Sequence, residues 1–143
     1  MGSITSSNAT ATRSGASGRT GTSSRFPCEQ VICVFVLDKG RLTAFAAPGQ
    51  GTSYFPCINN RGQIVGAYIK QQGEPLDVFG GYLRDRRGRA TTFDVPGATS
   101  TLPMDLDDHG QIVGIQEIDA QGPRRGFLRD QHGRYVTIQV PAR

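Results

Sequence analysis

The sequence predicts an all-β chain of short antiparallel strands, built as about two and a half four-stranded repeats. Three observations carry this. The pentapeptide Gly-Gln-Ile-Val-Gly occurs at Gly62–Gly66 and again at Gly110–Gly114, a separation of 110 − 62 = 48 residues. Gly81-Tyr82-Leu83-Arg84-Asp85 matches Gly126-Phe127-Leu128-Arg129-Asp130, at 127 − 82 = 45. No stretch shows the 3.6-residue apolar period of an amphipathic helix, while runs of β-branched and aromatic residues alternate with Gly, Asn, Asp and Pro clusters.

In order along the chain, residues 1–25 consist largely of Ser, Thr, Gly, Ala and Arg. They lack the apolar mass that offsets ordering entropy, so a disordered extension is expected there, with the β-repeat domain over 26–143. Val31 to Leu37 is a continuous apolar run and reads as a strand buried on both faces. Asp38-Lys39-Gly40 turns the chain into a returning strand, Arg41 to Ala46, which Pro48-Gly49 ends. A strand over Ser53 to Ile58 passes through the tetrad Asn59-Asn60-Arg61-Gly62 into Gln63 to Ile69. After a polar loop at Gln71–Pro75, Val78 to Arg84 and Arg89 to Val95 flank the turn Asp85–Gly88. The same order then repeats: Thr101 to Leu106, turn Asp107–Gly110, Gln111 to Glu117, loop Asp119–Pro123, Arg125 to Arg129, turn Asp130–Gly133, Arg134 to Val140. Counted from the clearest matches, the copies run about 34–80, 81–125 and a partial 126–143.

A period near 45 with four short strands per copy is the signature of a propeller blade. The pieces Thr92-Phe93-Asp94-Val95-Pro96-Gly97-Ala98 and Gly-Gln-Ile-Val-Gly carry a resemblance to the bacterial probable extracellular HAF-repeat family, covering about residues 33–143. The resemblance implies propeller-like blades and an extracellular or cell-surface setting, and it implies no reaction. A propeller closes with about 4–8 blades, so these copies are expected to stay open, to belong to a longer protein, or to close by self-association. A β-trefoil-like barrel of three repeats is the alternative. Arg25-Phe26-Pro27-Cys28 also resembles Tyr54-Phe55-Pro56-Cys57, as a shortened copy at the N-terminal edge would.

Composition narrows the function. The formal net charge is +4, of which Arg13, Arg19 and Arg25 supply +3 without an acid nearby, leaving +1 on the remainder. Nucleic acid is therefore not an expected partner for the folded part. There is no run of about 18 apolar residues for a membrane span and no apolar core of a signal peptide, so export by a standard route is not expected. Cys28, Cys33 and Cys57 are an odd number and are expected as free thiols.

Three groups of residues are candidates for chemistry. Asp105, Asp107 and Asp108, ahead of Gly110, place carboxylates at alternate positions as calcium loops do, although His109 intrudes and Gln116 replaces the bidentate acid. A hydrogen-bonded turn is the simpler reading. Arg84, Arg86 and Arg87, with Arg124 and Arg125 one copy later, form a basic stripe for an anionic ligand if the copies stack. His109 and His132 occupy a turn position that holds Arg61 and Arg87 elsewhere, which marks them as surface turn residues. No nucleophile–base arrangement, zinc spacing or phosphate loop is present, and neither a catalytic residue nor a cofactor is expected. The expected role is a non-enzymatic binding or scaffolding module for a carbohydrate or protein surface, with a further copy of the chain as a partner where self-association closes the ring. The alternative is a fragment of a larger propeller enzyme whose catalytic residues lie outside this chain.

Overall fold

A computed structural model describes residues 4–9, 33–49, 52–73, 76–119 and 121–139. Among these residues there is no helix, and every sheet is antiparallel and open. From residue 33 on, ten strands fall into groups of two, four and four. The first group is β2 (Cys33–Asp38) and β3 (Arg41–Phe45). The second is β4 (Tyr54–Ile58), β5 (Ile64–Gln71), β6 (Val78–Arg84) and β7 (Ala90–Phe93). The third is β8 (Ser100–Leu106), β9 (Ile112–Glu117), β10 (Arg124–Arg129) and β11 (Tyr135–Ile138). Each is a meander, with neighbours in sequence paired in space.

One further strand lies within the N-terminal extension. β1 (Ile4–Ala9) pairs antiparallel with β2, Ile4 opposite Asp38 and Ala9 opposite Cys33. Backbone pairing along a strand edge needs no apolar side chains, so a Ser/Thr-rich segment can add to an edge that a hydrophobic core could not recruit. The shortened copy at Arg25–Cys28 lies outside the described residues.

The turns follow one construction. Asn59 Oδ1 accepts from the N–H groups of Arg61 and Gln63, at 3.0 and 2.9 Å. Asp85 Oδ1 accepts from Arg87 and Arg89, both at 2.9 Å. Asp107 Oδ1 accepts from His109 and Gln111, at 2.9 and 2.8 Å. Asp130 Oδ1 accepts from His132 and Arg134, at 2.8 and 2.9 Å. Each turn ends on a glycine in the left-handed region, Gly62, Gly88, Gly110 or Gly133. An Asx oxygen satisfies two N–H groups the ladder cannot reach, and the glycine carries the positive φ that rejoins the strands. The β2–β3 hairpin is tighter: Lys39 and Gly40 both have positive φ, as a type I′ turn demands.

The sheets stack in one sense. Val36 and Phe45 of the first sheet, with Ala47, pack on Ile58, Ile64, Tyr68 and Tyr82 of the second. The opposite side of the second sheet offers Val65, Leu83 and Phe93, which pack on Leu106, Ile112, Phe127 and Tyr135 of the third. Adjacent residues of a strand point to opposite faces, so Ile64 and Val65 serve different interfaces. An arginine crosses each one: Arg84 lies over the Phe45 ring at 4.3 Å from its centre, and Arg129 over Phe93 at 5.0 Å. These are cation–π contacts made by corresponding residues of successive sheets.

The expectation that the first apolar run is buried on both faces needs correction. Val34 is fully buried, but Leu37 is 42% exposed. The second sheet covers only one side of the hairpin, and a continuous apolar run reads the same whether its second side is covered or open. The phase of the repeat also differs from the sheet boundaries. A copy counted from Gly81 takes its first two strands from the second sheet and the next two from the third. A period determines the length of a unit and leaves its starting point free.

Candidate functional site

Each complete sheet has two ends of different character. The turns Asn59–Gly62 and Asp85–Gly88 share one end of the second sheet, because Ile64 pairs with Arg84. Asp107–Gly110 and Asp130–Gly133 share the corresponding end of the third, where Ile112 pairs with Arg129. The other end carries the connections between β5 and β6 and between β9 and β10, which differ in sequence.

At the turn end, corresponding residues of the two sheets touch. The Cys57 thiol donates to Asp105 Oδ1 at 3.1 Å, and Asn59 Nδ2 donates to the Asp107 carbonyl at 2.9 Å. Asn60 donates its backbone N–H to Asp108 Oδ1 and its side-chain amide to Oδ2, both at 2.8 Å. Every one of these pairs is separated by 48 residues. The amide of Asn60, and then its backbone N–H, hold the Asp108 carboxyl below its ordinary 3.8. Burial, reinforced by the Asp105 carboxylate, raises the Cys57 thiol above its ordinary 9.0.

Asp105, Asp107 and Asp108, the residues of the calcium-like pattern, all lie on this seam. Their oxygens face three different sets of donors: Asp105 Oδ1 takes Cys57 and the Leu106 N–H, Asp107 Oδ1 takes two turn N–H groups, and Asp108 takes Asn60. Among the described residues, no three His, Cys, Asp or Glu side chains converge where an ion could be shared. The sequence pattern places carboxylates at alternate positions, but a cation needs them aimed at one point.

The arginines do not form one stripe. Arg86 and Arg87 sit in a turn at one end of the second sheet, whereas Arg124 and Arg125 open β10 at the opposite end of the third. Arg84 lies over Phe45, and Arg124 Nε pairs with Glu117 at 2.7 Å. Arg86 and Arg87 are exposed. His109 is an exposed turn residue, its ring nitrogen 3.8 Å from Asp107 Oδ2, and His132 is exposed in the corresponding turn.

At the loop end, Leu76 and Ile118 expose apolar side chains beside Gln71, Gln72 and Asp119. Nearby ion pairs, Lys70 Nζ to Asp94 at 2.8 Å and Arg124 to Glu117, fix the strand ends from which these loops leave. The seam and the exposed loop residues were not separable by residue type alone. The constant 48-residue spacing was the one signal that marked the seam residues as counterparts.

No family model, curated protein or solved structure matches this chain.

Proposed function

We propose that this chain is a non-enzymatic interaction module of the HAF-repeat kind, in which propeller-like blades hold two dissimilar loops, 70–77 and 118–125, toward a carbohydrate or protein surface outside the cell. The observation that supports it is the contrast between the ends. The turn end is built from one hydrogen-bond pattern used four times, with its carboxylates engaged by the protein's own N–H groups. Groups that hold a scaffold together are poorly placed to select a ligand. The loop end differs from sheet to sheet and exposes Leu76 and Ile118 among polar side chains, the mixture of apolar contact and hydrogen-bonding groups that recognition surfaces use.

A glycan array probed with the whole chain, alongside the Leu76→Ser/Ile118→Ser variant and the Arg86→Ala/Arg87→Ala variant, tests this reading. Saturable binding that the first variant loses and the second keeps supports it, with carbohydrate as the ligand class. Binding that survives the loop changes and disappears with the turn arginines overturns it.

A further inference from the structure

The two stacked interfaces within the chain are of the same kind, and neither ends the series. The first sheet lies on the second as the second lies on the third, so among the described residues one face is left over at each end of the stack. On the third sheet that face carries Val113, Ile115, Leu128, Val136 and Ile138, whose cross-strand pairing puts them on the side away from Phe127. The corresponding residues of the second sheet are covered. Val65 is 0% exposed where Val113 is 40%, and Phe93 is 8% exposed where Ile138 is 44%. On the first sheet the leftover face carries Phe35, Leu37, Leu42 and Ala44, with Leu42 63% exposed.

We propose that the open face of the third sheet docks on the open face of the first sheet of a second copy of this chain, continuing the stack between molecules.

Two features fit these faces to each other rather than to a further copy of an internal sheet. At each internal interface an arginine lies over a phenylalanine, Arg84 over Phe45 and Arg129 over Phe93. At the outer faces the phenylalanine position holds Ile138 and the arginine position holds Leu37, by the same strand register. An internal-type face would bring an arginine onto Ile138 with no ring to receive it. Leu37 instead meets an aliphatic partner, so both halves of the cation–π pair have changed together.

The second feature is at the turns. Asn59 and Asn60 donate side-chain amides forward to the next sheet. Their counterparts Asp107 and Asp108 are carboxylates, which have no proton to donate. Among the described residues the first sheet has no counterpart of the β4–β5 turn that would receive such a bond. The donor is missing on one face and the acceptor on the other. Contact between such different faces is heterologous: it closes into a ring if the rotation allows and otherwise extends.

The inference rests on the stacked sheets and not on any ligand, so a blank glycan array leaves it standing. The test uses light scattering behind size exclusion on the whole chain, over a concentration series, with Val136→Glu and Leu42→Glu as variants. Both positions are more than half exposed, and a circular dichroism melt confirms that each variant folds. The wild type is expected to run at a multiple of the chain mass, and each variant alone at the single-chain mass. Mixing the two variants is expected to double that mass, because Val136→Glu keeps an intact first-sheet face and Leu42→Glu an intact third-sheet face. A wild type that stays single at every concentration overturns the proposal and points to a cover from within the chain. Variants that keep the wild-type mass, or a mixture that stays single, overturn it as well.

Discussion

Asn60 holds Asp108 by both carboxylate oxygens, through its backbone N–H and its side-chain amide at 2.8 Å each. The two residues, 48 apart in the chain, occupy the same place in successive sheets and join one sheet to the next.

That contact makes the turn end sensitive to acid. The Asp108 carboxyl titrates below its ordinary 3.8, chiefly because the Asn60 amide donates to it, and Asp130 is lowered too, chiefly by the Arg134 N–H. A carboxyl depressed in the folded state contributes stability above its unfolded value and loses it as pH falls through the folded one. The melting temperature is therefore expected to fall as pH drops below 3.8. Asp108→Ala should lower it at neutral pH and flatten the acid decline, which a pH series of thermal melts measures. An unchanged acid slope in the variant would show that Asp108 does not contribute.

Gly114 has no room for a side chain. A Cβ there would press on the Leu102 carbonyl oxygen and would meet Pro103 Cα and Phe127 Cε1 at 2.8 Å. Backbone atoms cannot swing aside, so Gly114→Ala is expected to destabilise by about 3 kcal/mol, the upper part of the overpacking range. At Gly73 nothing lies within 4 Å of the added atom. Gly73→Ala should stay within about 0.5 kcal/mol of wild type. Urea unfolding of the two variants, side by side, decides the matter.

Tyr82 is fully buried, and its hydroxyl lies 2.6 Å from Ser53 Oγ. Tyr82→Phe removes that bond and is expected to lose about 1 kcal/mol at neutral pH. Burial also raises the Tyr82 phenol above its ordinary 10.0. Above that pH the unfolded chain releases the proton first, so stability falls as pH rises. The phenylalanine variant should show a shallower alkaline decline. Equal alkaline slopes in urea melts above pH 10 would count against the assignment.

Cys57 is half-buried and shares its proton with Asp105. A thiol raised by burial and by a neighbouring carboxylate holds less thiolate, the reactive form. Its reaction with an aromatic disulfide at pH 8 is expected to be slower in the folded protein than in urea. Asp105→Asn should speed it. The Cys57 rate is followed in a Cys28→Ser/Cys33→Ser background, and equal rates folded and unfolded would refute the shielding.

Much of the architecture was legible because turns and strands are local. Asn59, Asp85, Asp107 and Asp130, each three residues ahead of a glycine, announced their turns through chemistry contained in the turn itself. The all-β class followed from the runs between them. What stayed hidden depended on which surfaces meet. Equal spacing showed that Asn60 and Asp108 correspond but could not show that they touch. The alternate carboxylates resembled a calcium loop until their directions were known. The arginines of β10 and of the Asp85 turn resemble one stripe by residue type, but they stand at opposite ends of their sheets. Leu37 sat in an apolar run whose second side has no cover among the described residues, and Ile4–Ala9 pairs with β2 through backbone groups common to any sequence.

In the Asp85 and Asp130 turns the Asx oxygen makes the bonds that secure the turn, and the side chains of the two residues before the glycine make none of them. Arg86 and Arg87 stand where Gln131 and His132 stand one sheet later, and the turn bonds match to within 0.1 Å. A strongly cationic pair and an almost neutral one are thus interchangeable on the same frame. Mutation can rewrite the charge at these two positions of the Asp85 and Asp130 turns without touching the bonds that secure them, which makes them the places on this edge freest to drift or to be re-engineered for display.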